Sequence, residues 1–411
     1  MGAQSTFFGP AKYAILPQHL KLEQLVGGNA LVEMGTFVSI LLATIAAGII
    51  MQFENYLLVT AISVVVLAVF GYLTSRTIPY APPSDSSLQI SYNIFKTTKS
   101  LLSRVRESRP IFLAVMAISW FWFLGASYLT QFPVFTKDVL NGDTSLVTLL
   151  LACFSLGIGL GSMMCEKLSG EHVELGIVPL GALGMTLFGV DLYFSIPVRA
   201  DLPTSWLVFC QTIGNWKLLF DIAGIGISAG VFIVPLYTYI QEKSDKEFLA
   251  RTIAIINIMN ALFLIGSGLV AIVLLKIMGL ELGEYFLVLS IMNLVVCCYV
   301  FYQVDEFVIR FMIWVLSNTI YRVKETDLHH IPREGPAVLV CNHVSFVDAV
   351  LIAGSCRRPI RFVMDHNIFK SIALGWFFKA IKAIPIAPSH QDEGIYTQAF
   401  DSISEALKND E

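Results

Sequence analysis

Charge is what this chain has least of. Of its 411 residues, 14% are Asp, Glu, Lys or Arg, where soluble domains carry about 25%. Hydrophobic residues reach 55% and the mean hydropathy is +0.70. An ordinary soluble enzyme is therefore excluded as a description of the whole. A basic excess is missing too. Lys and Arg number 27 against 31 Asp and Glu, for a net charge of −4, so nothing points to nucleic acid, whose phosphates call for a basic surface. The seven cysteines lack metal-type spacing. Cys297-Cys298 sit inside an apolar run, and Cys153, Cys165 and Cys210 lie in or beside others. This argues against a disulfide framework and fits reduced thiols on a cytoplasm-facing protein. The first residues have neither a basic start nor an apolar core, so no secretory signal is read there.

What is present is a series of long apolar runs. A membrane-crossing helix needs about 20 mostly apolar residues. Runs of that kind are predicted at 33–52, 56–74, 111–133, 146–165, 174–194, 218–240, 252–275 and 284–303. The opening segment Gly2–Leu25 is broken by Pro10, Pro17 and charge, and reads as the end of a helix followed by a loop. From 304 to 411 the charge density returns to that of a soluble segment.

Lys and Arg set the orientation. One set of loops holds Lys12 and Lys21, then Arg76, Lys96, Lys99, Arg104, Arg106 and Arg109, then Lys167, then Lys243, Lys246 and Arg251. The alternate loops hold Lys137, Arg199 and Lys276. Basic loops recur after every second span, as eight helices require, which puts the 75–110 loop and the C-terminal segment in the cytoplasm. That loop contains a Pro-rich linker, 78–84, and a predicted surface helix, Leu88–Glu107. It leaves two spans before it and six after it. A basic linker ahead of six helices is how the two halves of a major facilitator transporter are joined.

Few ionisable residues lie within the spans. Lys217 and Asp221 are four apart and share a helix face. Charge is costly at membrane depth, so Asp221 reads as a substrate or ion contact, or as a structural pair with Lys217. Lys217 is also placed to snorkel to the interface. Glu33, Glu54 and Asp191 lie near span ends. Gly157, Gly159 and Gly161 follow no soluble strand and predict close helix packing rather than a nucleotide loop, as do Gly224, Gly226 and Gly230, and Gly266 with Gly268. Pro235 predicts a kink.

The chemistry lies in Cys341-Asn342-His343-Val344-Ser345-Phe346-Val347-Asp348. It follows Ala337–Val340, a run that reads as a buried strand. An imidazole can take a proton from a hydroxyl near neutral pH. A carboxylate about one turn on can bond the other ring nitrogen and stabilise the imidazolium. His343 is thus the candidate base and Asp348 its partner; the alternative is a loop His beside an Asp helix cap. His366 and Asp365 read as structural, with Asp365 a cap. Arg357, Arg358 and Arg361 form a basic cluster that fits lipid phosphate or an acidic carrier protein, and equally a solvated face. Phe307–Tyr321 reads as an interfacial helix or a core helix.

Two resemblances follow from these residues. Gly2–Pro17, with Phe7-Phe8-Gly9-Pro10-Ala11-Lys12-Tyr13, resembles a loop of the lysophospholipid transporter branch of the major facilitator superfamily. So do Leu25–Glu33 and the set Val234-Pro235-Leu236-Tyr237, Ile240-Gln241, Arg251 and Asn257. This likeness covers roughly 1–303. From 304 on, through Asn342-His343 to Asp348, the chain is similar to the glycerolipid acyltransferases. Arg361–His366 looks like the lysophosphatidylethanolamine acyltransferases in particular.

The resemblance implies an all-α polytopic membrane domain of major facilitator type with about eight helices, followed by a partial α/β glycerolipid acyltransferase domain. Residues 1–74 would be the remnant of the N-terminal transporter half, 75–110 a cytoplasmic linker, 111–303 the six-helix half and 304–411 the acyltransferase part. It also implies lysophospholipid and membrane lipids as partners, with an acyl thioester (acyl-carrier protein or acyl-CoA) as co-substrate and no bound cofactor or metal. The expected place is a bacterial-type inner membrane, with the C-terminal domain cytoplasmic. His343 and Asp348 would be catalytic, and Ser345, Arg361, Asp221 and Lys217 would contact substrate.

Departures are present. The family's transporter has twelve helices. Its acyltransferase continues to a Glu-Gly-Thr-like block not found here, and Ser389 stands where a basic residue is often found. The chain therefore reads as a fragment at both ends or a mis-called gene. A transporter with an inert acyltransferase part, a 1-acylglycerol-3-phosphate acyltransferase-type activity and a non-functional membrane fragment stay open as alternatives.

Overall fold

The computed structural model describes residues 2–51, 53–82, 93–169, 175–198, 202–303, 330–332, 335–342, 344–345, 347–356, 360–371 and 375–408, with Ile313, Ser317, Ile320, Tyr321, Val323 and Thr326. Among them are eight helices long and apolar enough to cross a membrane, one at each predicted run. The chain divides into two units, Met1–Val173 with Ile177–Cys298, and Glu174–Gly176 with Tyr299–Glu411.

The first unit is helical throughout its regular structure. It opens with α1 (Gly2–Ala14), then a short helix Leu16–His19 and a 3-10 turn Leu22–Gln24. The spans follow as α2 (Leu25–Ile50) and α3 (Tyr56–Ser75). The surface helix α4 (Ile94–Glu107) starts at the Asn93 cap, whose side chain accepts the N–H of Lys96 at 3.0 Å. It is strongly amphipathic, with its own Val105 buried; residues 88–92 of the predicted surface helix lie outside the described residues. Then come α5 (Arg109–Asp138), α6 (Thr144–Ser169), α7 (Val178–Phe194), α8 (Asn215–Lys243), α9 (Leu249–Ala271, prolonged by a π-turn Ile272–Ile277) and α10 (Leu282–Gln303).

Helix α8 is the central post: 83% of its most apolar window is buried, against none of α3. Glycines explain how its neighbours come so close. A Cβ on Gly157 or Gly161 of α6 would strike the carbonyls of Ala223 and Ile227 on α8, and one on Gly226 or Gly230 would strike Phe154 and Ile158. Backbones in such contact gain dispersion that larger side chains would forbid. Gly266 and Gly268 do not share this role. The nearest atom to a Cβ at Gly266 is a Phe123 ring carbon at 4.0 Å, and none lies within 4 Å at Gly268. Their face of α9 meets no helix backbone, so the packing expected of them is absent. Pro235 sits inside α8 without ending it.

Polar residues within the spans are bonded across helices. Asn293 of α10 accepts Trp120 Nε1 of α5 at 2.9 Å and donates to the Ala182 carbonyl and Thr186 Oγ1 of α7 at 2.8 and 2.9 Å. Tyr128, Phe132, Phe154 and Phe286 fill the space beside it, with the Tyr128 and Phe286 rings 5.2 Å apart. The polar residue Asn29 does not interrupt α2, which starts at Leu25. Asn29 there donates to Thr238 Oγ1 and Gln241 Oε1 of α8, so α2 begins well before residue 33.

In the second unit, α11 (Asp348–Ser355) is followed by β1 (Val363–Asp365), the short helices α12 (His366–Phe369) and α13 (Gly375–Ala380), β2 (Ile384–Ile386) and α14 (Glu393–Lys408). The two strands pair in parallel, Val363 opposite Ile384 and Asp365 opposite Ile386. Parallel strands need a crossover, here through α12 and α13, which makes this an α/β arrangement. Ala399 and Ala406 bury one face of α14.

Candidate functional site

The turn before α11 is built by Asp348. Its Oδ2 accepts the backbone N–H groups of Val344 at 2.7 Å and Ser345 at 2.8 Å, and Ser345 Oγ accepts the N–H of Val347 at 3.3 Å. Asp348 opens the helix while its side chain reaches back over the preceding loop. A carboxylate taking two N–H groups fixes backbone that would otherwise be free. The residue between Asn342 and Val344 is His343, which lies outside the described residues, as do Phe346, Arg357 and Arg358. Ser345 is exposed and Arg361, just before β1, is half-buried.

One expectation fails here. Ala337–Val340 is not a buried strand: the segment has no regular structure, and Val338 and Val340 are 69% and 89% exposed. A strand needs a ladder partner for its N–H and C=O groups. Among the described residues β1 and β2 pair with each other and neither reaches this segment.

Asp365 is the cap it was expected to be, its Oδ1 accepting the N–H of Asn367 at 2.8 Å. That backbone bond, with His366 adding a smaller attraction, holds the Asp365 carboxyl below the usual carboxylate range. Of the segment 307–321, most lies outside the described residues. Ile313 and Ser317 are buried, Ser317 Oγ reaching the Val350 carbonyl at 3.4 Å and packing on Gly354. These two belong to the core of this unit rather than to a free surface, while Ile320 is 67% exposed.

In the membrane unit, Lys217 does not pair with Asp221. Its ammonium bonds Asp191 Oδ1 of α7 at 2.8 Å, half exposed. Asp221 is fully buried and takes the hydroxyl of Ser195 on Oδ2, and Oδ1 has no partner among the described residues. Glu54 is exposed in the α2–α3 loop.

Glu33 is the residue whose importance the sequence understated. It is fully buried between α1 and α2, and Tyr13 donates its hydroxyl to Oε1 at 2.5 Å. Tyr13 stacks on Tyr237 of α8 at 4.2 Å, and Gln241 donates to the Tyr13 carbonyl at 3.0 Å. The available signal was the recurrence of Asn29, Glu33 and Gln241 in otherwise apolar helices.

Residues 1–268 match the Major Facilitator Superfamily. The chain belongs to that superfamily. Residues 322–411 match the Acyltransferase family, so a multi-pass transporter-type domain and an acyltransferase domain share one polypeptide. Among curated proteins, the chain is similar to the lysophospholipid transporter LplT of Enterobacter sp. (strain 638), 28% identical over 293 residues, covering 69% of this chain and 68% of that protein. LplT of Escherichia fergusonii is 26% identical over 282 residues, 67% of this chain and 65% of the relative. LplT of Escherichia coli O157:H7 (strain EC4115 / EHEC) is 26% identical over 255 residues, 60% and 58%. The chain thus spans about two thirds of these relatives or less. No solved structure matches it.

Proposed function

We propose that this superfamily member carries lysophospholipid to the cytoplasmic leaflet and that its C-terminal domain acylates it there. The transport half of the reading rests on the similarity to lysophospholipid transporters, the acylation half on the acyltransferase match. The observation that carries the chemistry is the Asp348 carboxylate gripping the N–H groups of Val344 and Ser345. These bonds hold the backbone that follows His343 in the chain.

His343 takes the proton from the free glycerol hydroxyl of the lysolipid. The oxygen so activated attacks the carbonyl carbon of an acyl thioester, the C–S bond breaks, and the departing thiolate receives the proton from the imidazolium. Asp348 orients His343 and offsets its positive charge. General-base help of this kind is worth about 10²–10⁴-fold. Ser345 and Arg361 contact the acceptor or its phosphate, and Lys217 and Asp221 contact substrate in the membrane unit. The donor is acyl-carrier protein or acyl-CoA. The distribution of Lys and Arg among the loops supports a cytoplasmic C-terminal domain on a bacterial-type inner membrane. Residues 1–74, 75–110, 111–303 and 304–411 serve as N-terminal transporter part, linker, six-helix half and acyltransferase part.

The test is acyl transfer to labelled lysophosphatidylethanolamine in membranes carrying the chain or its His343→Ala variant. Diacyl product from the parent alone supports the reading. Normal acylation by the variant removes His343 from the chemistry. Uptake of lysolipid with no product from either protein reduces the function to transport. Preference for lysophosphatidic acid assigns a different acceptor.

A further inference from the structure

Helix α4 carries the cations Lys96, Lys99, Arg104 and Arg106 against the single carboxylate of Glu107. The cations divide between two sides of the helix. Arg104 is engaged by the protein: its guanidinium reaches Asp245 Oδ2 at 3.7 Å in the α8–α9 loop and lies 4.4 Å from the centre of the Phe248 ring. Val105 is buried where α4 packs on α5 and α9. The other side is open. Phe95, Lys99, Leu102 and Arg106 recur at intervals of four, three and four residues, which sets them in one stripe along the helix. Phe95 is 90% exposed, Lys99 and Arg106 are exposed, and Lys96 flanks them, exposed as well. Among the described residues no ion pair includes Lys96, Lys99 or Arg106.

The stripe lies at the height where the membrane ends. One extended residue, Ser108, joins α4 to the span α5, so the last turn of α4 cannot stand away from the bilayer surface. Arg106 marks the same level: its guanidinium is 5.4 Å from the centre of the Phe112 ring, in the first turn of α5. An aromatic ring flanked by cations suits the headgroup layer. There the ring enters the acyl boundary, and the long cationic side chains reach lipid phosphate. A free phosphate ion would satisfy the charges and leave the ring in water. An acidic protein would have to be wedged against the bilayer to cover Phe95.

We propose that α4 binds anionic lipid of the leaflet at which α5 begins, with Phe95 and Leu102 in the acyl boundary and Lys96, Lys99 and Arg106 on headgroup phosphates. This needs neither transport nor acylation. A zwitterionic headgroup brings its own ammonium, which competes with these side chains for phosphate; a headgroup of net negative charge does not. Each cation near an anionic surface strengthens the attachment about fivefold, and salt weakens it. The lipid holds one side of α4 while Arg104 and Val105 hold the other, so the helix ties the lipid surface to the α8–α9 hairpin.

Hydrogen exchange of the full chain in lipid nanodiscs, read at residues 94–107, provides the test. Exchange is expected to be slower in phosphatidylcholine mixed with phosphatidylglycerol than in phosphatidylcholine alone, and added salt is expected to shrink the difference. A variant combining Lys96→Gln, Lys99→Gln and Arg106→Gln is expected to lose that difference. Phe95→Ser is expected to exchange faster than the parent in both lipids. Equal exchange of the parent in the two lipids overturns the proposal, as does a triple variant that still responds to phosphatidylglycerol. Inorganic phosphate that protects the helix in phosphatidylcholine as well as phosphatidylglycerol does overturns the membrane as the source. Acyl-carrier protein that protects it better than phosphatidylglycerol does overturns lipid as the partner. Should the triple variant not fold, Lys99→Gln alone is expected to reduce the difference about fivefold, and an undiminished difference overturns the proposal.

Discussion

Gly161 of α6 rests directly on the backbone carbonyl of Ile227 in α8, leaving no space for a Cβ. The obstacle is main chain, so it cannot rotate away. Gly161→Ala is expected to destabilise the membrane unit by about 1–3 kcal/mol through overpacking. Gly268→Ala, where nothing lies within 4 Å, is expected to be neutral or to stabilise by up to about 1 kcal/mol through helix propensity. Thermal unfolding of the two variants in one detergent checks the contrast. Equal shifts would refute the packing account.

Asn293 joins three helices through Trp120, Ala182 and Thr186. Asn293→Leu removes three bonds at once and leaves the indole N–H and the threonine hydroxyl without this partner. Hydrogen bonds between membrane helices average about 0.6 kcal/mol each. A loss of roughly 2 kcal/mol is therefore expected, measured by unfolding in detergent.

Asp348 is asked to do two things, and substitutions separate them. Asp348→Asn keeps an oxygen for the N–H groups of Val344 and Ser345 but loses the charge. Asp348→Ala loses both. The amide variant is expected to fold like the parent and to acylate at least about 10²-fold more slowly. The alanine variant should in addition show faster hydrogen exchange at residues 344 and 345. An Asn variant with full activity would leave Asp348 a purely structural residue.

Asp143 caps α6, its Oδ1 accepting the Ser145 hydroxyl at 2.6 Å and the N–H groups of Ser145 and Leu146 at 2.8 and 3.1 Å. The serine bond, aided by the backbone bonds, holds its carboxyl below the usual range. A depressed pKa means the cap contributes fully above the ordinary aspartate value and fades as pH falls through the lower, folded one. Asp143→Ala is expected to cost about 1 kcal/mol at neutral pH. The difference from the parent should shrink in strong acid, as followed by circular dichroism melts.

The eight spans were legible because a 20-residue apolar run has few other places to go in water or lipid; each predicted run holds a helix, the first starting at Leu25 rather than 33. The composition break near residue 300 likewise separated two units. What the sequence by itself did not fix was which partner each polar side chain takes. Lys217 and Asp221 share a helix face, yet the lysine bonds Asp191 and the aspartate bonds Ser195, because both partners come from the α7 end, far off in sequence. Glu33 read as a span-end residue until Tyr13 was folded onto it. Ala337–Val340 had the pattern of a strand, but a strand exists only when another supplies its ladder. Periodicity and hydrophobicity are local and survive in one dimension. Pairing depends on which helices come together, and only the tertiary structure decides that.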